Sequence, residues 1–257
     1  MSIYQHFRPE EKEFIDQVLN WRNQVESTYA GKLTDFLDPR EQQIVKSLIG
    51  ENAEIKYAFF GGYSGAERKR AFLYPDYHQI EEEDFQISLV EVEYAKKFVT
   101  IEHPQVLGSL MSLGLKRAKF GDILIQNDVV QLIVSKEIES YISLQLESIG
   151  RASINLKQIP LSDAKTPEEQ WQESALTCSS LRLDAVLAAI FNISRQKAQT
   201  FISSKLVKVN WTVIENPSFE CREGDMISAR GFGRAKMMGI EGKTKKDKWR
   251  IVAGKQK

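Results

Sequence analysis

The chain has 257 residues, with 35 Lys and Arg against 35 Asp and Glu, and 42 % of it is hydrophobic. That is enough for two or three small domains, each with its own core. No stretch approaches the roughly 18 apolar residues of a membrane-spanning helix, and the charged segment from Met1 to Phe14 lacks the apolar region of a signal peptide. The neutral total hides an asymmetry. From Cys178 onward 16 Lys and Arg stand against 7 Asp and Glu, a charge of +9, which leaves 19 against 28, or −9, for residues 1–177. A division of this kind points to one end meeting a polyanion. Cys178 and Cys221 show no ligand or disulfide spacing, as expected of structural thiols in a reducing cytoplasm. His6, His78 and His103 are scattered, so neither a metal nor another cofactor is expected.

In chain order, Pro9 to Tyr29 reads as a helix with Phe14, Val18, Trp21 and Val25 at helical spacing. Asp38 is placed to cap a second helix that Pro39 opens. Ile55 to Phe60 and Ala71 to Tyr74 are strand-like and flank Gly61-Gly62-Tyr63, whose glycines suit a tight turn or a close backbone approach. Tyr63, Arg68 and Arg70 there, with Lys116, Arg117 and Lys119 further on, form an optional accessory RNA surface, against the plainer reading of solvated basic loops. Strands are expected over Phe85–Tyr94, Asp122–Gln126, Val129–Val134 and Ser153–Ile159. Helices are expected over His103–Leu115 and Lys136–Ile149, the second with Ile138, Tyr141, Ile142 and Leu146 inward. The order βαββαβ is a ferredoxin-like or RRM-like plan. The aromatic pattern by which RRMs stack RNA bases is missing. Leu161 to Thr177 is polar and reads as a linker, with room for a helical turn over Glu168 to Ser174.

Leu181, Leu183, Val186, Leu187 and Ile190 then mark one face of a short helix, broken at Asn192-Ile193. Ser194 can cap a second helix, in which Ala198, Phe201 and Ile202 form the buried stripe. Arg182, Arg195, Lys197 and Lys205 fall off both stripes. Arg195 and Lys197 also sit at the positive end of the second helix, where cations are poorly placed unless an anion arrives. Val207, Val209 and Val213 alternate with Lys208 and Thr212 around a turn at Asn210-Trp211. Ser180 to Arg234 resembles the S4 RNA-binding domain. The resemblance implies an RNA surface of Arg182, Ser194, Arg195, Lys197, Gln199, Lys205, Lys208 and Asn210. It departs from the usual pattern at Trp211, where a glycine is common and a changed turn is expected, and at Gln199, where Arg is common.

Further motifs span the rest of the chain: Gly61-Gly62-Tyr63, Ala66-Glu67-Arg68-Lys69-Arg70, His103-Pro104, Gly108-Ser109-Leu110, Leu113-Gly114-Leu115-Lys116-Arg117 and Gly121-Asp122-Ile123. With an S4 domain last, the whole resembles the YlmH family of bacterial cytoplasmic S4 proteins. The expected fold is α+β: an N-terminal α/β domain over 1–77, a ferredoxin-like domain over 78–160, a linker over 161–179 and an S4 domain with a basic tail over 180–257. The resemblance implies binding to structured RNA, rRNA or tRNA, on the large ribosomal subunit; a monomer is expected, and the lack of a catalytic motif makes the expected role non-enzymatic. Two rivals are weighed. One is an RNA-modifying enzyme of the pseudouridine synthase type using Asp122. The other is a cell-division factor held at a membrane by its Lys-rich tail. Arg182-Leu183-Asp184 mimics part of a synthase motif, but Asp184 is expected to form a local ion pair or a cap.

Overall fold

The computed structural model describes Tyr4, Phe7 and residues 9–50, 54–166 and 171–256, so His6 lies outside the described residues. The chain forms two compact units, Met1–Pro167 and Glu168–Lys257.

The first unit opens with helix α1 (Lys12–Thr28), strand β1 (Lys32–Leu37) and helix α2 (Pro39–Ile49). Asp38 caps α2 as expected: its side chain accepts from the Glu41 N–H, and the Glu41 carboxylate takes the Asp38 N–H in return. The hairpin β2 (Ile55–Phe60) and β3 (Lys69–Pro75) pairs from Ile55 opposite Pro75 to Phe60 opposite Arg70. Strand β1 joins its far side, giving the order β1-β3-β2. A shift in register between Leu33 and Phe36 leaves Thr34 bulged. Its Oγ1 accepts from the Ala71 N–H and its carbonyl from Arg70 Nε. Gly61 is a close-approach glycine, since a Cβ there would stand 2.4 Å from the Ala66 Cβ.

The middle of the chain follows the expected order. Strand β4 (Ile87–Tyr94), helix α3 (His103–Ser112), strands β5 (Phe120–Gln126) and β6 (Val129–Ser135), helix α4 (Lys136–Gln145), the two-residue strand β7 (Ser148–Ile149) and β8 (Ala152–Ile159) form a sheet of order β5-β6-β4-β8-β7. Every pairing is antiparallel. Val106 and Leu110 of α3 and Ile138 and Ile142 of α4 pack with Val90, Leu132 and Val134 on one face. The other face carries Leu89, Leu124 and Ile133, which meet Phe36 of β1 together with Tyr63, Leu161 and Ala164. Part of the face that an RRM would offer to RNA is therefore occupied by this chain itself. Helix α4 stops at Gln145, four residues before the expected end, and Tyr141 is 45 % exposed rather than inward. Its hydroxyl reaches the Leu113 carbonyl instead.

In the second unit, helices α5 (Leu183–Phe191) and α6 (Arg195–Ser203) lie on a six-stranded sheet. The order is β11 (Thr212–Val213), β10 (Val207–Val209), β12 (Met226–Ala229), β13 (Gly233–Lys243), β14 (Trp249–Gln256) and β9 (Trp171–Cys178). Leu183, Val186, Leu187, Ile190, Ala198 and Ile202 meet Val207, Val209, Ile227, Met237 and Ile251 in one core, which also holds both cysteines. One expectation is corrected here. Trp171 to Cys178 is not linker but an outer strand, paired along its whole length with β14 from Gln256 opposite Trp171 to Trp249 opposite Cys178. The Lys-rich end is ordered too: Lys243 and Trp249 are paired at the turn end of a long hairpin, where Lys243 bridges to Asp247 at 2.7 Å.

Candidate RNA interface

The centre of the S4 surface is a carboxylate. Asp184, in the first turn of α5, is fully buried. Arg182 forks onto it, Nε to Oδ1 at 3.3 Å and Nη2 to Oδ2 at 3.2 Å. Arg195 forks from the other helix, Nε to Oδ2 at 3.1 Å and Nη2 to Oδ1 at 3.2 Å. The Gln199 amide completes the set with a bond to Oδ2 at 2.8 Å. Burial alone would raise this carboxyl's pKa, but the Arg182, Arg195 and Gln199 donors outweigh it and hold the group far below the usual carboxylate range. The unfavourable cation at the start of α6 thus has an internal partner. The guanidinium side chains stay 41 % and 48 % exposed. Each has spent two of its five N–H donors, so three remain to address an anion from outside. Two cations on one anion leave the cluster at +1, in a fixed geometry. Gln199, standing where Arg is common, acts as a neutral clamp.

The other expected residues separate by role. Ser194 caps α6, accepting from the Lys197 N–H at 3.2 Å. Lys197 is exposed beside Phe201, and Lys208 is exposed on β10. Lys205, left-handed at φ 62°, pairs with Glu215 at 3.1 Å. Asn210 is a scaffold residue: its amide donates to Asp225 at 2.6 Å, its oxygen accepts from the Met226 N–H, and its φ is 47°. Trp211 follows at φ 65°. Two successive left-handed residues between Val209 and Thr212 make the tight hairpin turn that Asn-Gly ordinarily supplies. The expected change of turn is absent, because Trp211 adopts the conformation that glycine takes more cheaply.

The accessory group is mostly structural. Arg70 is 4 % exposed and donates to the carbonyls of Thr34 and Gln86, with Glu137 at 3.4 Å. Arg68 donates to the Phe36 and Phe120 carbonyls, and Arg117 to those of Phe120 and Gly121. Lys119 bridges Asp35 at 2.7 Å and Glu137 at 2.8 Å. These cations tie β1 and its hairpin to the start of β5 and to α4, because carbonyls left over at the irregular strand ends need donors. Lys116 alone of the six is solvent-exposed. Asp122, bulged out of β5, accepts from the Tyr63 hydroxyl and from the N–H groups of Glu67 and Arg68. Its carboxylate is engaged by three internal donors, which tie the Gly61–Arg68 turn to the start of β5. His78 pairs with Asp84 at 3.3 Å and packs on Phe72 and Tyr74. Among the described residues, no three His, Cys, Asp or Glu side chains gather as a metal site, and no helix is long and apolar enough to cross a membrane.

One group was not picked out from the sequence. Phe232, in the turn after β12, packs against Phe191 and Phe201 at centroid distances of 5.5 and 5.3 Å. Lys197 Nζ lies 5.5 Å from the Phe232 ring, and Lys255 Nζ lies 5.6 Å from that of Phe191. The available signal was Gly231-Phe232-Gly233, an aromatic held between two turn glycines.

Comparison with known proteins agrees with this layout. Three family models match in order: the N-terminal model of YlmH over residues 10–78, the putative RNA-binding domain in YlmH over 80–163, and the S4 domain over 181–227. The ribosome-associated protein quality control protein P2 of Bacillus subtilis (strain 168) is 52 % identical over 256 residues, covering 100 % of this chain and 99 % of that protein. A solved structure, the cell division protein ylmH from Streptococcus pneumoniae, superposes with a TM-score of 0.56 at 34 % identity, covering 64 % of this chain and 100 % of that one. With an S4 helix pair built on a buried carboxylate, YlmH models over the residues before it and a relative matched along its whole length, the chain belongs to the YlmH family.

Proposed function

We propose that this protein is a non-catalytic RNA-binding protein that docks its S4 unit on structured RNA of the large ribosomal subunit, as a cytoplasmic monomer. The observation that carries this is the Asp184 cluster. Two half-exposed guanidiniums locked on one buried carboxylate form a preorganised phosphate-binding edge, not a solvated basic face. The name of the Bacillus subtilis relative supports a ribosomal setting, and the S4 and YlmH RNA-binding models support RNA as the ligand. Arg182, Arg195, Lys197 and Lys208 are assigned the phosphate contacts. Ser194, Gln199 and Asn210 hold the scaffold, and rRNA or tRNA shape supplies specificity. The working division into 1–77, 78–160 and 180–257 gives the first two parts a placing role.

Co-sedimentation with 30S, 50S and 70S particles over a salt series tests this. The wild type is expected to follow the 50S and 70S particles. Arg182→Gln/Arg195→Gln should bind more weakly, with a salt slope shallower by roughly 0.9 per lost contact on the duplex-DNA scale. Equal binding of both proteins would remove the cluster from the interface.

A further inference from the structure

Helix α6 carries cations on both sides of its buried stripe. At 3.6 residues per turn, Arg195 and Gln199 flank Ala198 and Ile202 on one side, and Lys197 and Phe201 flank them on the other. The exposed ridge between these flanks, Gln196, Thr200 and Ser203, is polar and uncharged. The first flank is ordered by Asp184. The second is ordered by rings: Phe232 sits between Phe191 and Phe201, with Lys197 over Phe232 and Lys255 of β14 over Phe191. Such contacts hold an ammonium in place without neutralising it. Among the described residues, neither lysine has a carboxylate within salt-bridge distance, unlike Lys205 and Lys243.

A helix with its side chains is about 10–12 Å across, so the two cationic flanks stand about one helix width apart. Thr200 Oγ1 donates to the Gln196 carbonyl at 3.1 Å, which leaves its lone pairs facing out as acceptors. Resting on the RNA-binding reading above, we propose that α6 lies along the shallow groove of a double-helical RNA segment. The Asp184-held arginines take one backbone, and Lys197 and Lys255, mounted on the Phe232 cluster, take the other. The neutral ridge then meets the 2′-hydroxyls that line that groove. Lys255 lies outside the S4 match at 181–227 and is brought to the surface by the β13–β14 hairpin.

The test uses the full-length chain and a fluorescein-labelled RNA hairpin with a stem of about a dozen base pairs, beside its unpaired strand, by anisotropy over a KCl series. Lys197→Gln/Lys255→Gln and Arg182→Gln/Arg195→Gln should each flatten the hairpin's salt slope by roughly 1.8, two contacts at about 0.9. On the unpaired strand the lysine pair should lose clearly less. Lys255→Gln alone should show half the hairpin effect and guards against a folding loss in the double variant. A wild-type slope from both lysine variants on the hairpin overturns the second flank. Equal loss on hairpin and single strand overturns the groove geometry. If the arginine pair also keeps the wild-type slope, the S4 surface reading itself falls.

Discussion

Replacing Asp184 by Asn removes one charge and almost no volume, and two lines of reasoning give opposite signs for RNA binding. The substitution turns one acceptor oxygen into an N–H₂ facing two guanidiniums. Charge-assisted hydrogen bonds contribute about 1.5–3 kcal/mol each and neutral ones about 1. The arginines are 41 % and 48 % exposed, so water replaces part of the loss. A net cost of about 2 kcal/mol follows, or about 10 °C in the melting midpoint of a unit this small. For RNA, plain electrostatics says that the variant should bind more tightly, since the cluster rises from +1 to +2. Preorganisation says the reverse: two released arginines must be ordered again on binding, at about 0.5–1.5 kcal/mol each, which is roughly tenfold in Kd. At moderate salt the added charge is screened and the ordering cost is not, so weaker binding is expected. Fluorescence anisotropy on labelled rRNA, with thermal melts by circular dichroism, measures both. An Asp184→Asn protein that melts like the wild type and binds as tightly or more tightly would refute the anchoring argument. Asp184's folded pKa lies below its unfolded one. Its contribution is therefore present above about pH 4 and lost as pH falls below that, so the gap between wild type and variant should close in acid.

Two further outcomes concern the first unit. Arg70→Ala should destabilise it by about 1–3 kcal/mol, because it takes the buried donor from the Thr34 carbonyl, while Glu137 keeps Lys119 and the Gln86 carbonyl keeps the Lys136 N–H, and it should leave RNA affinity below the melt unchanged. Urea titration beside RNA binding checks this, and an affinity loss without a stability loss would return Arg70 to the RNA surface. Glu41 is pushed up to about 7 by burial and by its neighbour Asp38. A raised carboxyl pKa costs stability as pH rises from the unfolded value near 4.5 through 7. Glu41→Gln keeps the capping box and should stabilise the first unit by roughly 1–3 kcal/mol at pH 8 and hardly at pH 4. A gain of equal size at both pH values would contradict the burial argument.

Much of this protein could be read along the chain because the signals are local. The stripes of α5 and α6, the Ser194 and Asp38 caps, the Asn210 turn and the βαββαβ order all follow from neighbours within a few residues. The arginines of the S4 surface were found in the same way, since their distance from the apolar stripes is a matter of spacing. What spacing does not carry is which partner lies across the fold. Trp171–Cys178 is a polar outer strand with little alternation of its own, and it becomes a strand because β14 offers it a ladder. The Lys-rich end became a hairpin for the same reason. Arg68, Arg70, Arg117 and Lys119 carry the same charge as a solvated basic loop would. Only the folded arrangement decides that carbonyls and carboxylates 16 to 84 positions away take up three of them, Arg68, Arg70 and Lys119. Composition and periodicity determined that one end of this chain is cationic and where its helices run. Tertiary structure decided which cations are spent inside, because a buried carbonyl or carboxylate must find a donor and the sequence does not show how far away that donor is.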